Sequence, residues 1–205
     1  PFQNFLKSLS TIDENRDKAM FLNLENYISS NKLESEKMYG FMGVFHVMQA
    51  SYNSSEPFVH LLKKKFNKAK ITSLIGFYTD ATMMMPYNGQ MKMMIPAEFA
   101  GQLWQAYPEF GKTQKYLPVP FSNNQSNPVM EKVEHIESLE ALSAENSATL
   151  FKLSGKNSPF NTQNTFAEVK GAMGITLTNP EDKTTDAFQY LILFRNAQPA
   201  TPLEF

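Results

Sequence analysis

Two stretches of the chain carry side chains from which a reactive site could be built. The first is Arg16-Asp17, near the start of a helix-patterned segment that also carries Met20 and Asn23. The second is Lys37–Gln49, KMYGFMGVFHVMQ, in which His46 stands close to the end. Histidine changes charge nearest to neutral pH, so it can take a proton from water, or bind a metal as neutral imidazole. An arginine can hold a substrate carboxylate or an oxyanion through its N–H donors. The aspartate beside it can orient either the histidine or the arginine. Each group also has a plainer reading: His46 as a core histidine with satisfied hydrogen bonds, Arg16 and Asp17 as part of a solvated helix face with the acid helping the first turn. The chain has no cysteine, so thiolate nucleophiles, disulfides and cysteine–zinc sites are excluded. No P-loop, GxGxxG, GxSxG or HExxH is present, and no carboxylate spacing picks out a glycosidase pair.

The elements that must position these groups follow from the apolar pattern. Thr11-Ile12-Asp13-Glu14 matches a capping box, a hydroxyl three residues before a glutamate, and predicts a helix to Asn31. Its stripe is Met20, Leu24, Tyr27 and Ile28, while Arg16 and Asn23 are seven apart and share a different face. Lys37–Val47 is apolar on both alternating faces and predicts a central strand of a parallel sheet, with His46 at its carboxyl end, where open α/β sheets place ligands. Ser55-Glu56-Pro57 starts a helix to Asn67, and Lys70–Thr79 is the next strand. His60 falls away from that helix's stripe and carries little functional weight.

Further on, six methionines crowd into Met83–Met94 around Asn88-Gly89, a strong hairpin signal, and Pro86 marks its arm as an edge strand. Thioethers suit Cu(I), but methionine more often fills irregular apolar gaps, so a hairpin packed over the core or a cleft is expected, without copper. Ala97–Ala106 reads as a helix, Tyr107–Pro128 as mostly loop, and Ser147–Leu153 and Phe188–Phe194 as strands. Val129–Leu142, which includes His135, and Thr165–Ile175 fit helix and strand equally. The predicted fold class is α/β: a mixed, largely parallel sheet covered by helices, with an inserted methionine-rich β-hairpin. All 205 residues suit a single domain able to bury a real core.

Composition narrows the partners. Net charge is −1, which leaves no electrostatic footprint for nucleic acid. Two of the 19 basic residues are arginine, which weakens any case for phosphate recognition by arginine forks. No apolar run approaches the roughly 18 residues of a membrane span. A small-molecule substrate or ligand is the expected partner. The chain starts at Pro1 with no signal-type segment, as expected of a processed or excised piece, so localisation is open. Export from a bacterial cell would fit if a signal segment has been lost.

ENRDKAMFLNLE, followed by a helix and then KMYGFMGVFHVMQ, resembles the erythromycin esterase-like family, whose general layout the ChaN-like haem-binding lipoproteins and TraB/TIKI-type hydrolases share. The matching positions are Arg16, Asp17, Met20, Asn23, Gly43 and His46, with a late aspartate, Asp186, before an apolar strand. The resemblance implies hydrolysis of an ester or similar acyl bond by water that a strand-end histidine activates. His46, Arg16 and Asp17 are then the expected catalytic residues, and Asn23, Tyr39 and Gln49 the expected substrate-binding ones. No cofactor is required, and a divalent metal is compatible with the site although no metal ligand set stands out. Enzymes of this kind bring a further histidine or glutamate from a first half, so the chain is expected to be the C-terminal portion of a larger α/β protein, with that half as its partner. The alternative is a non-catalytic binding module of the same fold for haem or another apolar ligand, with His46 or Tyr39 as axial group.

Overall fold

Strand β5 (Tyr190–Arg195) is the middle of the main sheet in this computed structural model. The structure describes residues 16–52, 54–66, 70–108, 115–126, 132–133, 136–156, 158, 160 and 184–201. β5 runs parallel to β1 (Leu74–Thr79) and antiparallel to β4 (Ala148–Lys152), in the order β1-β5-β4. Register sets the core: Ile75 stands opposite Leu191 and Phe77 opposite Leu193, and all four are buried on one face. Because the side-chain period of a strand is 2, Tyr78 and Phe194 fall on the other face, where their rings stack 5.1 Å apart. β4 closes the sheet as an edge strand with Leu150 exposed.

The buried face is covered by Met48, Val133, Ile136, Leu139, Leu153 and Phe188, which with the strands form the larger core. A smaller core lies under a separate two-stranded antiparallel sheet. There β2 (Thr82–Pro86) pairs with β3 (Tyr116–Pro120), and Leu117 and Val119 pack against Met91, Ile95 and Leu103. The helices among the described residues are, in chain order, α1 (Arg16–Asn31), α2 (Val44–Val47), α3 (Phe58–Lys65), α4 (Gly89–Met94), α5 (Ala97–Ala106), α6 (Ile136–Glu140) and α7 (Thr184–Ala187). Helices with mixed sheets make the chain an α/β protein.

Several expectations are corrected. Lys37–Gly43 is not a strand: it has neither helix nor strand structure, and Val44–Val47 is a single helical turn entered at Gly43. Met38, Tyr39 and Phe41 are 50%, 95% and 105% exposed. An apolar run identifies a segment that wants cover but does not choose its partner, and among the described residues no strand pairs with this one. The central position belongs to β5 instead. Among the described residues the main sheet holds one parallel and one antiparallel pair, so a largely parallel sheet is not found there.

The methionine hairpin is absent as well. Met83–Met85 pair across to Val119, Pro118 and Leu117, and Gly89–Met94 is helical. A two-residue hairpin turn at Asn88-Gly89 needs positive φ at both residues. Asn88 sits at φ −100° and accepts a hydrogen bond from the Met91 N–H at 3.2 Å, so it acts as a helix N-cap. The Tyr107–Pro128 loop accordingly contains β3. The capping box at Thr11–Glu14, His135 and Thr165–Ile175 lie outside the described residues. The helix Ala97–Ala106 and the strands at Leu74, Ala148 and Tyr190 stand where the pattern put them, give or take their ends.

Candidate functional site

The site starts from how α1 lies on α3. Both helices run the same way, because Asp17 meets the start of α3 and Glu25 meets its end. The Asp17 carboxylate accepts a hydrogen bond from the Phe58 N–H at 2.9 Å, at the helix terminus where backbone donors are unpaired. Two turns on, Glu25 pairs with Lys65 at 2.7 Å. Phe21, Leu24 and Ile28 share this packing face of α1, with Ile28 fully enclosed. Asp17 is therefore held by the fold on the inner side of its helix.

His46 comes to it from α2. Val44, Phe45 and Val47 pack against the main core, which anchors the turn and leaves the imidazole facing α1. The His46 Nδ1 lies 2.7 Å from Asp17 Oδ1, and the two side chains are 19% and 21% exposed. A carboxylate can only accept here, so Nδ1 carries a proton, and in the neutral ring Nε2 presents its lone pair. Among the described residues Nε2 has no protein partner. A histidine whose one nitrogen is fixed by a carboxylate, with the other open and partly reachable by solvent, is the arrangement that general-base chemistry uses. The same nitrogen could serve as a metal or axial ligand. Among the described residues no group of three or more His, Asp or Glu stands together to hold a metal ion.

The other expected residues are placed differently. Arg16 and Asn23 are exposed, consistent with their shared helix face, and Arg16 makes no ion pair among the described residues. Tyr39 is almost fully in solvent. Gln49 is buried: its Nε2 donates to Gln189 Oε1 at 2.6 Å and lies 3.1 Å from the Ile71 carbonyl and 3.3 Å from Ser73 Oγ. Its backbone N–H donates to the Ala187 carbonyl at 3.0 Å. Gln49 thus ties the entrance of β1 to that of β5, and its amide is occupied by the fold.

Tyr52 escaped the sequence reading, in which His60 carries little weight. Tyr52 stacks on Phe45 with ring centroids 5.4 Å apart, and burial followed by the Asp17 carboxylate raises its phenol pKa. His60, on α3, donates from Nδ1 to the Gln49 carbonyl at 2.9 Å and places Nε2 3.7 Å from Glu56. With Gln49, Ala50, Lys63, Lys64 and Asp186 it lines an open cleft of about 300 Å³. His46 and Asp17 are not among its lining residues. Glu56 is held below the usual carboxylate range chiefly by its hydrogen bond to Lys64. His60 and the lysines one turn on share a helix face, a spacing visible in the sequence; Tyr52 had no sequence signal beyond its nearness to His46. No helix among the described residues is long and apolar enough to cross a membrane. No family model matches the chain, and no curated protein or solved structure matches it either.

Proposed function

We propose that the chain is an erythromycin esterase-like hydrolase, or the portion of one that carries the base, acting on an ester or similar acyl bond. The observation that carries this reading is the Asp17–His46 hydrogen bond, which leaves His46 Nε2 as a base. In the proposed reaction Nε2 takes a proton from a water molecule as the water oxygen attacks the acyl carbon. The carbonyl electron pair moves onto the acyl oxygen. When the tetrahedral intermediate collapses, the bond to the leaving alkoxide breaks and His46 returns the proton to it, giving an acid and an alcohol. Asp17 stabilises the imidazolium between these steps. Arg16, exposed one residue before Asp17, would hold an anionic part of the substrate. Asn23, on the same helix, and Tyr39, on the exposed Met38–Phe41 segment, would meet the rest. That segment favours a substrate with a bulky apolar part, because aromatic side chains bury 150–250 Å² each and gain most from such a partner.

The test is turnover of a panel of aryl and macrocyclic esters by the purified chain. Activity lost in His46→Ala supports the reading; activity equal in His46→Ala and wild type refutes it. The exposed Tyr39 and Phe41, a few residues before a histidine whose Nε2 has no partner among the described residues, also favour a second reading, a binding module for haem or another apolar ligand. A Soret band on haem titration, lost in His46→Ala, would select it.

A further inference from the structure

The turn that follows His46 is tied to the dyad at both ends. At one end the Tyr52 ring stacks on Phe45, the residue before His46, with an interplanar angle of 29°. Its backbone is fixed by a pair of bonds with Ser55: the Tyr52 N–H donates to the Ser55 carbonyl at 3.2 Å, and the Ser55 N–H donates to the Tyr52 carbonyl at 2.7 Å. From Ser55 the chain passes through Pro57 to Phe58, whose amide donates to Asp17. The phenol is therefore linked through Phe45 to the turn that carries His46 and through Ser55 to the segment that leads to Phe58. The ring is half-buried against the main core, yet its hydroxyl has no hydrogen-bond partner among the described residues. A phenol held by packing beside a carboxylate–histidine pair, with no protein acceptor for its O–H among the described residues, can offer that donor to a ligand.

We propose that Tyr52 is a catalytic residue of this site: its O–H donates a hydrogen bond to the acyl oxygen of the bound ester and to the oxyanion formed when water attacks. The inference rests on the ester-hydrolysis reading and adds to it a donor for the developing charge. Tyr52 keeps its proton throughout, since the proton taken from water resides on His46 until the leaving group accepts it. Burial, and then the Asp17 carboxylate, disfavour a negative charge on the phenol, so Tyr52 stays a donor where a normal tyrosine would begin to ionise. A donor aimed at the oxyanion acts in the transition state more than in the ground state, so its loss should fall on kcat.

Tyr52→Phe keeps the ring and its stack on Phe45, and matching circular dichroism and thermal midpoint would establish that the fold is kept. For this variant kcat on p-nitrophenyl esters should fall about 10²-fold with KM within a few-fold. Affinity for an aryl methylphosphonate monoester, whose anionic oxygens stand in for the oxyanion, should fall about tenfold or more. Unchanged kcat and unchanged phosphonate affinity in Tyr52→Phe overturn the proposal and leave the hydrolase reading standing if His46→Ala is still inactive. If wild type hydrolyses no ester, that reading fails, and phosphonate affinity still decides the role of Tyr52. Equal affinity in the two proteins, or binding by neither, then overturns it, and Tyr52-dependent affinity supports it as an oxyanion donor.

Discussion

Asp17 Oδ1 accepts two hydrogen bonds from one position on α1: from His46 Nδ1 at 2.7 Å, 29 residues away in sequence, and from the Phe58 amide at 2.9 Å. One carboxylate thus orients the histidine and caps α3. Asp17→Asn keeps an oxygen for one donor and loses the charge that strengthens both bonds. Stability should fall by about 1–2 kcal/mol in urea denaturation, since hydrogen bonds to charged groups exceed neutral ones. Loss below about 0.3 kcal/mol would mean that the carboxylate does not hold the two elements together.

Gly89→Ala separates the helical reading of Gly89–Met94 from a hairpin turn. A Cβ at Gly89 meets no atom within 4 Å, and the residue opens a helix. Alanine there should be neutral or stabilising by up to about 1 kcal/mol. The same change at the positive-φ position of a type I′ turn would cost about 1 kcal/mol or more. Asn88→Ala, which removes the cap, should cost about 1 kcal/mol by thermal or chemical denaturation.

The Asn88 contrast also explains what could be read from the sequence. An asparagine before glycine satisfies both a hairpin turn and a helix cap, and only the pairing of Met83–Met85 with Leu117–Val119 decides between them. That pairing joins residues 32 to 36 apart in sequence, from Met85 with Leu117 to Met83 with Val119, beyond the reach of local pattern. β5 and α5 were legible because their apolar periods agree with the burial they receive. Lys37–Gly43 was misread because its composition reports a need for cover, which the described residues do not supply. At the site, Asp17 and His46 were legible as residue types, and Asp17 as a group that could orient either the histidine or Arg16. The strand expected to carry His46 is not formed, yet Asp17 and His46 meet, because α2 takes the place of the strand end and is anchored by Phe45 and Val47. Tyr52 was not legible, since its place depends on the Ser55 turn.

Phe41→Ser tests the exposed segment. At full exposure the ring contributes little to this fold, so stability should change by less than about 0.5 kcal/mol. A buried central strand would lose about 3 kcal/mol or more on losing the ring. Leu193→Ala, in the centre of the core, is the control and should cost about 2–5 kcal/mol.

Tyr52 should titrate above the ordinary tyrosine value of 10.0, because burial and then Asp17 both disfavour the phenolate. A proton held more tightly in the folded state gives stability that is present below the unfolded pKa of about 10 and is lost as pH rises through the folded value. The difference in tyrosinate absorbance between wild type and Tyr52→Phe reports this step. Asp17→Asn should move it down; an unmoved step would place the phenol out of the carboxylate's reach.

The central claim is that Asp17 fixes His46 with its Nε2 free to act as a base, and the tautomer of His46 tests it most directly. Long-range proton–nitrogen correlation on ¹⁵N-histidine protein, assigned with His46→Ala, distinguishes the protonated ring nitrogen from the bare one above the pH at which the ring is neutral. The expected result is a protonated Nδ1 and an unprotonated Nε2, with that preference weakened in Asp17→Asn. A protonated Nε2, or a tautomer indifferent to Asp17→Asn, would contradict it.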